Sequence, residues 1–339
     1  MNIEQNAMSV TPSVSVVIAV YMVEEYIAQC CHSLFAQTLK NIEYIFVDDC
    51  SPDKSMDIVQ SVLAEYPDRR GQVKIIRHPQ NMGVSRTRED GVKAATGEYI
   101  IHCDPDDWVE LDMYEQLYNK AVEENADMVL CDIYRDYEDD PKSYRDRQDP
   151  VKLDSRSVLA SIFRARRPNI ESSLCNKLIK RECYTNVEWP KGISTGEDWS
   201  AITQILLNPL KIEYVNQAFY NYRCRHSSLS NSKYSKESID KIMRTFPVLL
   251  QYMGNSNDAE LIRFWQAGVP CYMMLPLDSP KRVYTNKEFA CRYRQYRKCI
   301  GKDRFLPNIK KVFLYISTYN YRLAFFLYKR VKKLKIHLR

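Results

Sequence analysis

The sequence predicts an α/β fold built on a mostly parallel sheet with helices on both faces. Short β-rich runs alternate with segments of helical apolar spacing from Ser13 to Asp132, which is the βαβ rhythm of parallel sheets. The chain of 339 residues is long enough for about two domains and a sizeable core. Neither GxGxxG after a strand nor GxxxxGK[ST] is present, and HExxH and GxSxG are also absent. Simple dinucleotide, P-loop, zinc-protease and α/β-hydrolase sites are therefore not expected.

Five strands are predicted in this half of the chain. The first is rich in valine, and the second and fourth end directly at aspartates. Their ranges are Ser13–Tyr21, Ile42–Val47, Val73–Arg77, Tyr99–Cys103 and Met128–Asp132. Continuous apolar runs of this length are typical of strands that are buried on both faces of a sheet.

Four helices are predicted between these strands. Apolar residues from Ile27 to Phe35 follow helical spacing, and Ile58, Val59, Val62 and Leu63 form a second stripe. Ser51 is the expected N-cap of that second helix, with Pro52 at its first position. Ser85–Ala95 and Leu111–Glu124 complete the set. Residues 133–155 are polar and predict an exposed connection, and we place a domain boundary near residue 233.

The charge of the chain is unevenly distributed. Net charge is +6, but residues 281–339 hold 18 Lys and Arg against Glu288 and Asp303. This segment therefore carries +16, and residues 1–280 carry −10. Such a division predicts that the acidic part carries the main function and that the basic segment binds an anionic surface.

Cysteine usage and the N-terminus predict a cytoplasmic location. The 11 cysteines are odd in number and show neither CxxC nor metal-ligand spacing, so we expect reduced thiols. Met1–Pro12 is polar and does not resemble a signal peptide. No long uninterrupted apolar run is present, which argues against a membrane span.

Carboxylates cluster where two predicted strands end. Asp48 and Asp49 follow one strand, and Asp104-Pro105-Asp106-Asp107 follows another. Ligands of parallel α/β sheets bind at these carboxyl ends, and dense carboxylates favour an oxygen-preferring cation such as Mg²⁺ or Mn²⁺. A solvated acidic turn that caps helices is an equally good reading of the spacing alone.

Five motifs in order carry a resemblance to a known family. They are Ser15–Tyr21, Val47–Ser51, Asn81–Arg88, Asp104–Asp107 and Gly196-Glu197-Asp198-Trp199. Together they resemble the family 2 inverting glycosyltransferases with the GT-A fold, in particular the bacterial enzymes that build capsule, lipopolysaccharide and other surface polysaccharides. The resemblance covers about Ser13 to Ser230. Ala19, Met22, Cys50 and Glu89 depart from the residues usual in that family.

The resemblance implies a fold and a division of the chain. The expected fold is GT-A, a Rossmann-like, mostly parallel sheet flanked by helices, followed by a helical basic C-terminal region. Residues 1–233 would form the catalytic domain, with nucleotide-sugar binding in 13–132 and the acceptor and base in 133–233. Residues 234–339 would form the C-terminal region.

The resemblance also implies roles for individual residues in donor binding. The residues expected at the nucleotide sugar are Ala19, Tyr21, Asp49, Asn81, Arg88, Asp104 and Arg223. Asp49 would accept a hydrogen bond from the base, and a packed strand end is the alternative for Tyr21. Arg88 would hold the base or the diphosphate, or else form a structural ion pair. Asp106 and Asp104 are the expected ligands of Mn²⁺ or Mg²⁺, which would neutralise the leaving nucleoside diphosphate.

The Glu-Asp motif is the expected source of the catalytic base. Asp198 follows Asp106 at the distance usual in the family and would take the proton of the acceptor hydroxyl. Glu197 would orient Asp198 or the acceptor, and their roles could be exchanged. A charge pair in the first turn of a helix is the alternative for both. One base without a covalent nucleophile implies inversion, with a UDP-sugar as the expected donor and a glycan or lipid-linked acceptor.

Three segments of the second half have less defined roles. In Tyr220–Ser230, Arg223 and the serines would grip the diphosphate, and His226 is a weak candidate for a metal or phosphate ligand. Asn176-Lys177-Leu178 is either an acceptor-side or a structural element. Val312–Tyr328 is an apolar, aromatic segment followed by Lys and Arg. Such a segment suits peripheral attachment to the inner face of an anionic membrane.

Alternatives to these assignments are open. The tail helix could instead pack on the body with a solvated basic edge, and nucleic acid is a weaker partner because the front is acidic and has no nucleic-acid module. A non-catalytic relative that binds nucleotide sugar and scaffolds an assembly complex is the alternative function.

Overall fold

The first half of the chain forms alternating strands and helices. The computed structural model describes residues 11–140, 142–148, 152–162, 170–191, 196–225, 235–255, 262, 266, 269–270, 272–302 and 306–333. The first six strands are β1 (Val14–Val20), β2 (Ile42–Asp48), β3 (Val73–Arg77), β4 (Tyr99–His102), β5 (Trp108–Val109) and β6 (Met128–Tyr137). The helices among them are α1 (Ile27–Phe35), α2 (Ser55–Glu65), α3 (Val84–Ala94) and α4 (Met113–Glu124), with a 3₁₀ turn at Pro67–Gln72. All five predicted strands and all four predicted helices are present.

The second half contributes three strands and the remaining helices. The strands are β7 (Ser143–Asp146), β8 (Lys177–Lys180) and β9 (Ile212–Cys224). The helices are α5 (Ser155–Ile162), α6 (Glu197–Leu206), α7 (Lys236–Asn255), α8 (Leu275–Asp278), α9 (Asn286–Tyr293), α10 (Arg297–Ile300), α11 (Asn308–Ser317) and α12 (Tyr321–Lys333). Two further 3₁₀ turns lie at Arg181–Tyr184 and Arg294–Tyr296.

The sheet is parallel in its N-terminal part and mixed beyond it. Its strand order is β3-β2-β1-β4-β8-β6-β9-β5, with β7 beside β6. The pairs β2–β3, β1–β2, β1–β4 and β6–β9 are parallel, whereas β4–β8, β6–β8, β6–β7 and β5–β9 are antiparallel. The predicted parallel pairing is therefore confirmed among β1–β4. It does not extend to the second half, because β8 inserts between β4 and β6 and runs against both of them.

Helices cover both faces of the sheet, as predicted. Alternate residues of β1 enter different cores because successive strand side chains point to opposite faces. Val16 and Ile18 pack in a cluster that includes α1, α2 and α4, whereas Val17 packs in a cluster with α5, α6 and the C-terminal helices. At α3, a Cβ on Gly91 would lie 2.4 Å from Val17 Cγ1. Glycine therefore allows this helix to lie close against β1.

Two local predictions are wrong. The second helix begins at Ser55 and not at the Ser51-Pro52 step, because Ser51 is used in a loop contact. Its hydroxyl donates to Asp53 Oδ1 (2.6 Å) and accepts from the Met22 backbone NH (2.8 Å). The expected exposed connection 133–155 instead contains the end of β6, the whole of β7 and the start of α5.

The C-terminal region packs on the same core as the sheet. One hydrophobic cluster contains Val17 of β1 together with Tyr321 and Tyr328 of α12, so it includes residues from both sides of the boundary predicted near residue 233. The apolar tail Val312–Tyr328 is not one helix but falls in two, α11 and α12. Within the described ranges, no helix is both long and apolar enough to cross a membrane.

Candidate active site

The loop after β4 is anchored by the side chains and backbone of β9. Tyr220 donates its hydroxyl proton to Asp107 Oδ2 (2.7 Å) and accepts from the Asp104 backbone NH (3.1 Å). Asp107 also accepts from the Arg223 backbone NH (2.8 Å). Burial, together with the charges of Asp106 and Asp104, raises the pKa of Asp107 well above its usual range. Asp107 thus holds the loop that presents the other two aspartates.

Asp106 forms an ion pair with Arg225, a residue that the sequence motifs did not single out. Burial and the neighbouring charge of Asp104 raise the pKa of Asp106, and the Arg225 charge opposes this. The Arg225 guanidinium also lies 4.7 Å from the centre of the Tyr26 ring. Its position two residues after Arg223 was an available signal, since side chains at that spacing on an extended segment share a face.

Arg223, predicted to bind the donor diphosphate, lies against the loop after β4. Its guanidinium lies between the rings of Tyr26 (5.1 Å) and Trp108 (4.7 Å) and donates to Gln29 Oε1 (2.5 Å). Its Nε donates to the backbone oxygen of Asp106 (2.9 Å). Arg223 therefore supports the loop, and Arg225 is the cation at its carboxylate. His226 and the serines of Ser227–Ser230 lie outside the described residues.

Arg88 connects three of the sequence motifs. It is 5% exposed, and its NH2 lies 2.7 Å from Asp104 Oδ1. Its NH1 pairs with Asp198 and lies 3.5 Å from Glu197 Oε1. Burial works to lower the pKa of Arg88, but the charges of Asp104 and Glu197 outweigh it, and the pKa is raised. Because the guanidinium is used on these carboxylates, the ion-pair alternative describes Arg88 better than the expected donor contact.

The Glu-Asp motif opens α6, as its charge-pair alternative expected. Glu197 and Asp198 stand in the first turn, where acidic side chains favour the positive end of the helix dipole. The side chain of Asp198 is 17% exposed and that of Glu197 is 9% exposed. Asp198 is thus the more accessible of the two, and Arg88 lies between it and Asp104.

Asp49 is buried, and its carboxylate is engaged by groups of the protein. It is 3% exposed and accepts from the backbone NH groups of Met82 (2.7 Å) and Gly83 (2.9 Å). It is also paired with His78 Nδ1 at 2.8 Å. These contacts shape the loop before α3, where Gly83 has a φ of 85°. A nucleobase that donates to Asp49, as the resemblance implies, would have to compete with these contacts.

Three other predicted residues lie at the ends of strands or in loops. Tyr21 follows β1 and is 42% exposed, so it is not a packed strand end. Ala19 is half-buried near the end of the same strand, and Asn81 is exposed in the loop before α3. Their open positions are compatible with contact to a bound nucleotide.

Asn176 and Lys177 have a structural role. Asn176 is fully buried and its Nδ2 donates to the Cys131 carbonyl (2.7 Å). Lys177 Nζ donates to the carbonyls of Glu171 and Ser173 and to Asn176 Oδ1, each at 2.7 Å. Burial lowers the pKa of Lys177 to about 8. These bonds fasten the turn that leads into β8, which favours the structural reading of this segment.

The carboxylates of this site fit a magnesium or manganese ion only if a substrate supplies further ligands. Within the described part of the chain, no three His, Cys, Asp or Glu side chains are grouped to hold a metal. Asp104 and Asp106 offer two carboxylates, and Mg²⁺ is commonly bound by one or two carboxylates plus substrate phosphates. Asp104 Oδ2 accepts from the Cys175 thiol (3.4 Å), and Asp106 is held by Arg225. A metal at Asp106 would have to displace Arg225.

Comparisons with known proteins agree with this architecture. The family model described as Glycosyl transferase family 2 matches residues 15–187. EpsH of Bacillus subtilis, described as a putative glycosyltransferase, is 30% identical over 262 residues, which is 75% of this chain and 72% of EpsH. The B. subtilis minor teichoic acid biosynthesis protein GgaB is 28% identical over 70% of this chain and 28% of its own length.

The fold itself resembles that of a solved structure. A structure of residues 1–349 of S. aureus TarS in complex with UDP-GlcNAc has a TM-score of 0.56 and 17% identity, over 92% of each chain. At this identity the likeness concerns the fold, and it confirms the predicted GT-A-like architecture. From its motifs, its fold and the matched family model, this chain belongs to glycosyl transferase family 2 and is a glycosyltransferase.

Proposed function

We propose that this enzyme transfers a sugar from a UDP-sugar to a hydroxyl of a glycan or lipid-linked acceptor in surface polysaccharide synthesis, with inversion at the anomeric carbon. One observation carries the proposal, namely that buried Arg88 brings Asp104 and the Glu197-Asp198 pair together. These groups come from motifs far apart in sequence. Their convergence brings a carboxylate suited to metal and phosphate close to a carboxylate suited to proton transfer.

The donor side is formed by the carboxyl ends of β1 and β4. Tyr21, directly after β1, and Asn81, in the loop before α3, are exposed and would contact base and ribose. Asp104 and Asp106 would hold Mn²⁺ or Mg²⁺, which supplies Lewis-acid neutralisation of the leaving diphosphate. Arg225, once released from Asp106, would lie within the same loop cluster as a phosphate-binding cation. UDP-sugars are the first donors to test because TarS was crystallised with UDP-GlcNAc.

The acceptor side is formed by the start of α6. Asp198 would accept the proton of the attacking hydroxyl as the new glycosidic bond forms. Its carboxylate is paired with Arg88, which fixes its position at the start of α6. Glu197 shares the same guanidinium and would position Asp198. With a single base and attack opposite the leaving group, an α-linked donor gives a β-linked product.

The departures from the family pattern do not favour a non-catalytic scaffold. Cys50 has a φ of 58°, which explains why glycine is usual there. Glu89 pairs with Lys93 (2.6 Å) and Arg86 (3.1 Å) along α3. Cys50 thus keeps the backbone conformation that glycine would adopt, and Glu89 is accounted for by its contacts on the helix surface. These substitutions are therefore compatible with catalysis.

The test combines nucleotide-sugar binding with donor hydrolysis. Calorimetry would measure binding of UDP-Glc, UDP-Gal, UDP-GlcNAc and UDP-GalNAc with Mn²⁺, with Mg²⁺ and with EDTA, and UDP release would report turnover with water as acceptor. We expect Asp106→Ala to abolish metal-dependent binding. Asp198→Asn should keep donor affinity within a few fold and reduce turnover about 10²–10⁴-fold. Asp57→Asn, an exposed carboxylate on α2, is the matched control.

Three outcomes would contradict part or all of the proposal. If the wild type binds no nucleotide sugar under any metal condition, the donor site is wrongly assigned. If donor binds normally but Asp198→Asn retains full turnover while Glu197→Gln loses it, the two acidic residues have exchanged roles. Full turnover in both variants would exclude this pair as the base.

A further inference from the structure

The hairpin of α11 and α12 carries a concentration of exposed apolar side chains. Six of the 14 exposed large hydrophobic residues in the described part of the chain lie between residues 309 and 326. We call them the tail stripe: Ile309, Val312, Tyr315, Tyr319, Leu323 and Phe326. Val312, Tyr319 and Phe326 are each more than half exposed, at 54%, 58% and 52%. Such a concentration of exposed apolar side chains marks an interaction surface.

The core does not account for these residues, because each helix already has a second, buried apolar face. Phe313 and Leu314 of α11 and Tyr321 and Tyr328 of α12 are buried. The rings of Phe313 and Tyr328 pack edge to face with centroids 5.4 Å apart. The Tyr328 hydroxyl donates to Asp278 Oδ1 (2.7 Å), which fixes α12 to the body. One face of each helix is therefore packed on the body, as the alternative for the tail predicted. The tail stripe lies on the other, exposed face.

Positive charge surrounds the tail stripe without a compensating acid on the same segment. Residues 308–333 contain seven Lys and Arg and no Asp or Glu. The Arg330 guanidinium lies 4.5 Å from the centre of the Phe326 ring, and Arg297 lies 4.4 Å from that of Tyr319. Exposed rings with cations beside them match the boundary of an anionic bilayer, where apolar side chains enter the acyl region and cations meet phosphates.

We propose that the tail stripe docks the enzyme on an anionic lipid bilayer. A second copy of the chain is disfavoured as occupant because both partners would present the segment 281–339, which carries 18 Lys and Arg against two acids. Nucleic acid would use the cations and some rings, but the aliphatic side chains of Val312 and Leu323 would have no partner there. A bilayer accommodates aliphatic, aromatic and cationic groups together.

This docking goes beyond the proposed transfer reaction and does not depend on it. A bilayer bound at α11 and α12 would confine the enzyme to the surface on which a lipid-linked acceptor is presented. Binding to vesicles can be measured without donor, metal or acceptor. Failure of docking would leave the proposed reaction standing, and failure of the reaction would leave docking standing.

The experiment is co-sedimentation of the full chain with large vesicles of phosphatidylcholine, either pure or mixed with phosphatidylglycerol. We expect binding to the anionic vesicles that weakens as the salt concentration is raised. Leu323→Glu with Phe326→Glu should lower the partition constant roughly 100-fold or more, since burial of two large apolar side chains is lost. Val122→Glu is the matched control, because Val122 is 53% exposed on α4, away from the tail stripe.

Circular dichroism and thermal unfolding would show that the double variant is folded. A second variant, Arg322→Ala with Arg330→Ala, tests the charge separately and should weaken binding to anionic vesicles only. The proposal is overturned if the wild type stays in the supernatant or if the double variant binds as the wild type does. It is also overturned if light scattering shows that the stripe forms a dimer, or if RNA but not vesicles is bound.

Discussion

Replacing Arg88 by glutamine tests the arrangement on which the site assignment depends. Arg88 is 5% exposed and contacts Asp104, Glu197 and Asp198. Removing one partner of a buried ion pair costs about 3–5 kcal/mol because the remaining charge is left uncompensated. Without the guanidinium, two of these carboxylates at a separation of about 5 Å would repel each other by about 3 kcal/mol, at an effective dielectric constant of about 20. We therefore expect Arg88→Gln to lose about 3–5 kcal/mol of unfolding free energy.

A double-mutant cycle separates this electrostatic effect from a simple loss of packing. Asp198→Asn should destabilise the wild type, because it removes a partner of Arg88, but it should stabilise Arg88→Gln, because it removes one of the repelling charges. The assay is urea unfolding followed by circular dichroism, with the slope compared among the four proteins. The reasoning is refuted if Arg88→Gln loses less than about 1 kcal/mol, or if Asp198→Asn has the same effect in both backgrounds.

Three further predictions concern the sheet and the loop that follows β4. Glu43→Gln should destabilise by about 2–3 kcal/mol at neutral pH, because Glu43 accepts from Ser15, Thr96 and Gly97 and pairs with Lys74; pH-dependent thermal unfolding measures this. Gly97→Ala should cost about 2–3 kcal/mol in urea unfolding, since its Cβ would lie 2.8 Å from the Ser15 backbone nitrogen. Tyr220→Phe should cost about 1–3 kcal/mol and weaken metal-dependent UDP-sugar binding in calorimetry, because its hydroxyl holds the loop of Asp104 and Asp107.

The pH dependence of the Glu43 effect has a definite sign. Burial alone would raise the pKa of Glu43, but contacts from Lys74, Ser15 and Thr96 outweigh it, and the pKa is lowered. The stabilisation is therefore present above the unfolded-state pKa of about 4.3 and is lost as pH falls through the folded-state pKa. The difference between wild type and Glu43→Gln should shrink in acid. A difference that grows as pH falls would contradict this account.

Matched variants control the other two predictions. Gly71→Ala should be nearly neutral, because nothing lies within 4 Å of the added Cβ. Tyr144→Phe removes a hydroxyl that donates to Asp140 on the exposed side of β7 and should leave UDP-sugar binding unchanged. Equal losses in Gly71→Ala and Gly97→Ala would exclude a steric cause. Equal losses in the two tyrosine variants would exclude a specific role for the Tyr220 hydroxyl.

Local pattern was sufficient for the first half of the fold. The predicted Val73–Arg77 is β3 without change, and the other predicted strands and helices of this half differ mainly in their ends, whereas the two-residue β5 was not predicted. Alternating strand and helix patterns depend on contiguous residues, so they can be read along the chain. The order of the five motifs was likewise enough to indicate the family, which the matched family model then showed.

Partners that come from distant segments were not readable in this way. Asp49 looks like a binding residue in sequence, but the NH groups of Met82 and Gly83, from the loop before α3, contact its carboxylate. The sequence motifs single out Arg223 and not Arg225, but in the structure the Arg223 guanidinium stacks between Tyr26 and Trp108, and Arg225 is the residue that pairs with Asp106. Each outcome depends on which groups compete for one side chain in three dimensions.

The βαβ order, the acidic strand ends, the family motifs and the basic C-terminal segment can all be read along the chain, because they depend on neighbouring residues or on composition. Three other features required the folded molecule: β8 runs antiparallel between β4 and β6, Arg88 joins Asp104 to Asp198, and one face of α12 is buried while the other is exposed. Strand pairing, ion pairing and burial depend on contacts between segments that are far apart in sequence. These contacts form only when the chain folds, so they cannot be read from neighbouring residues.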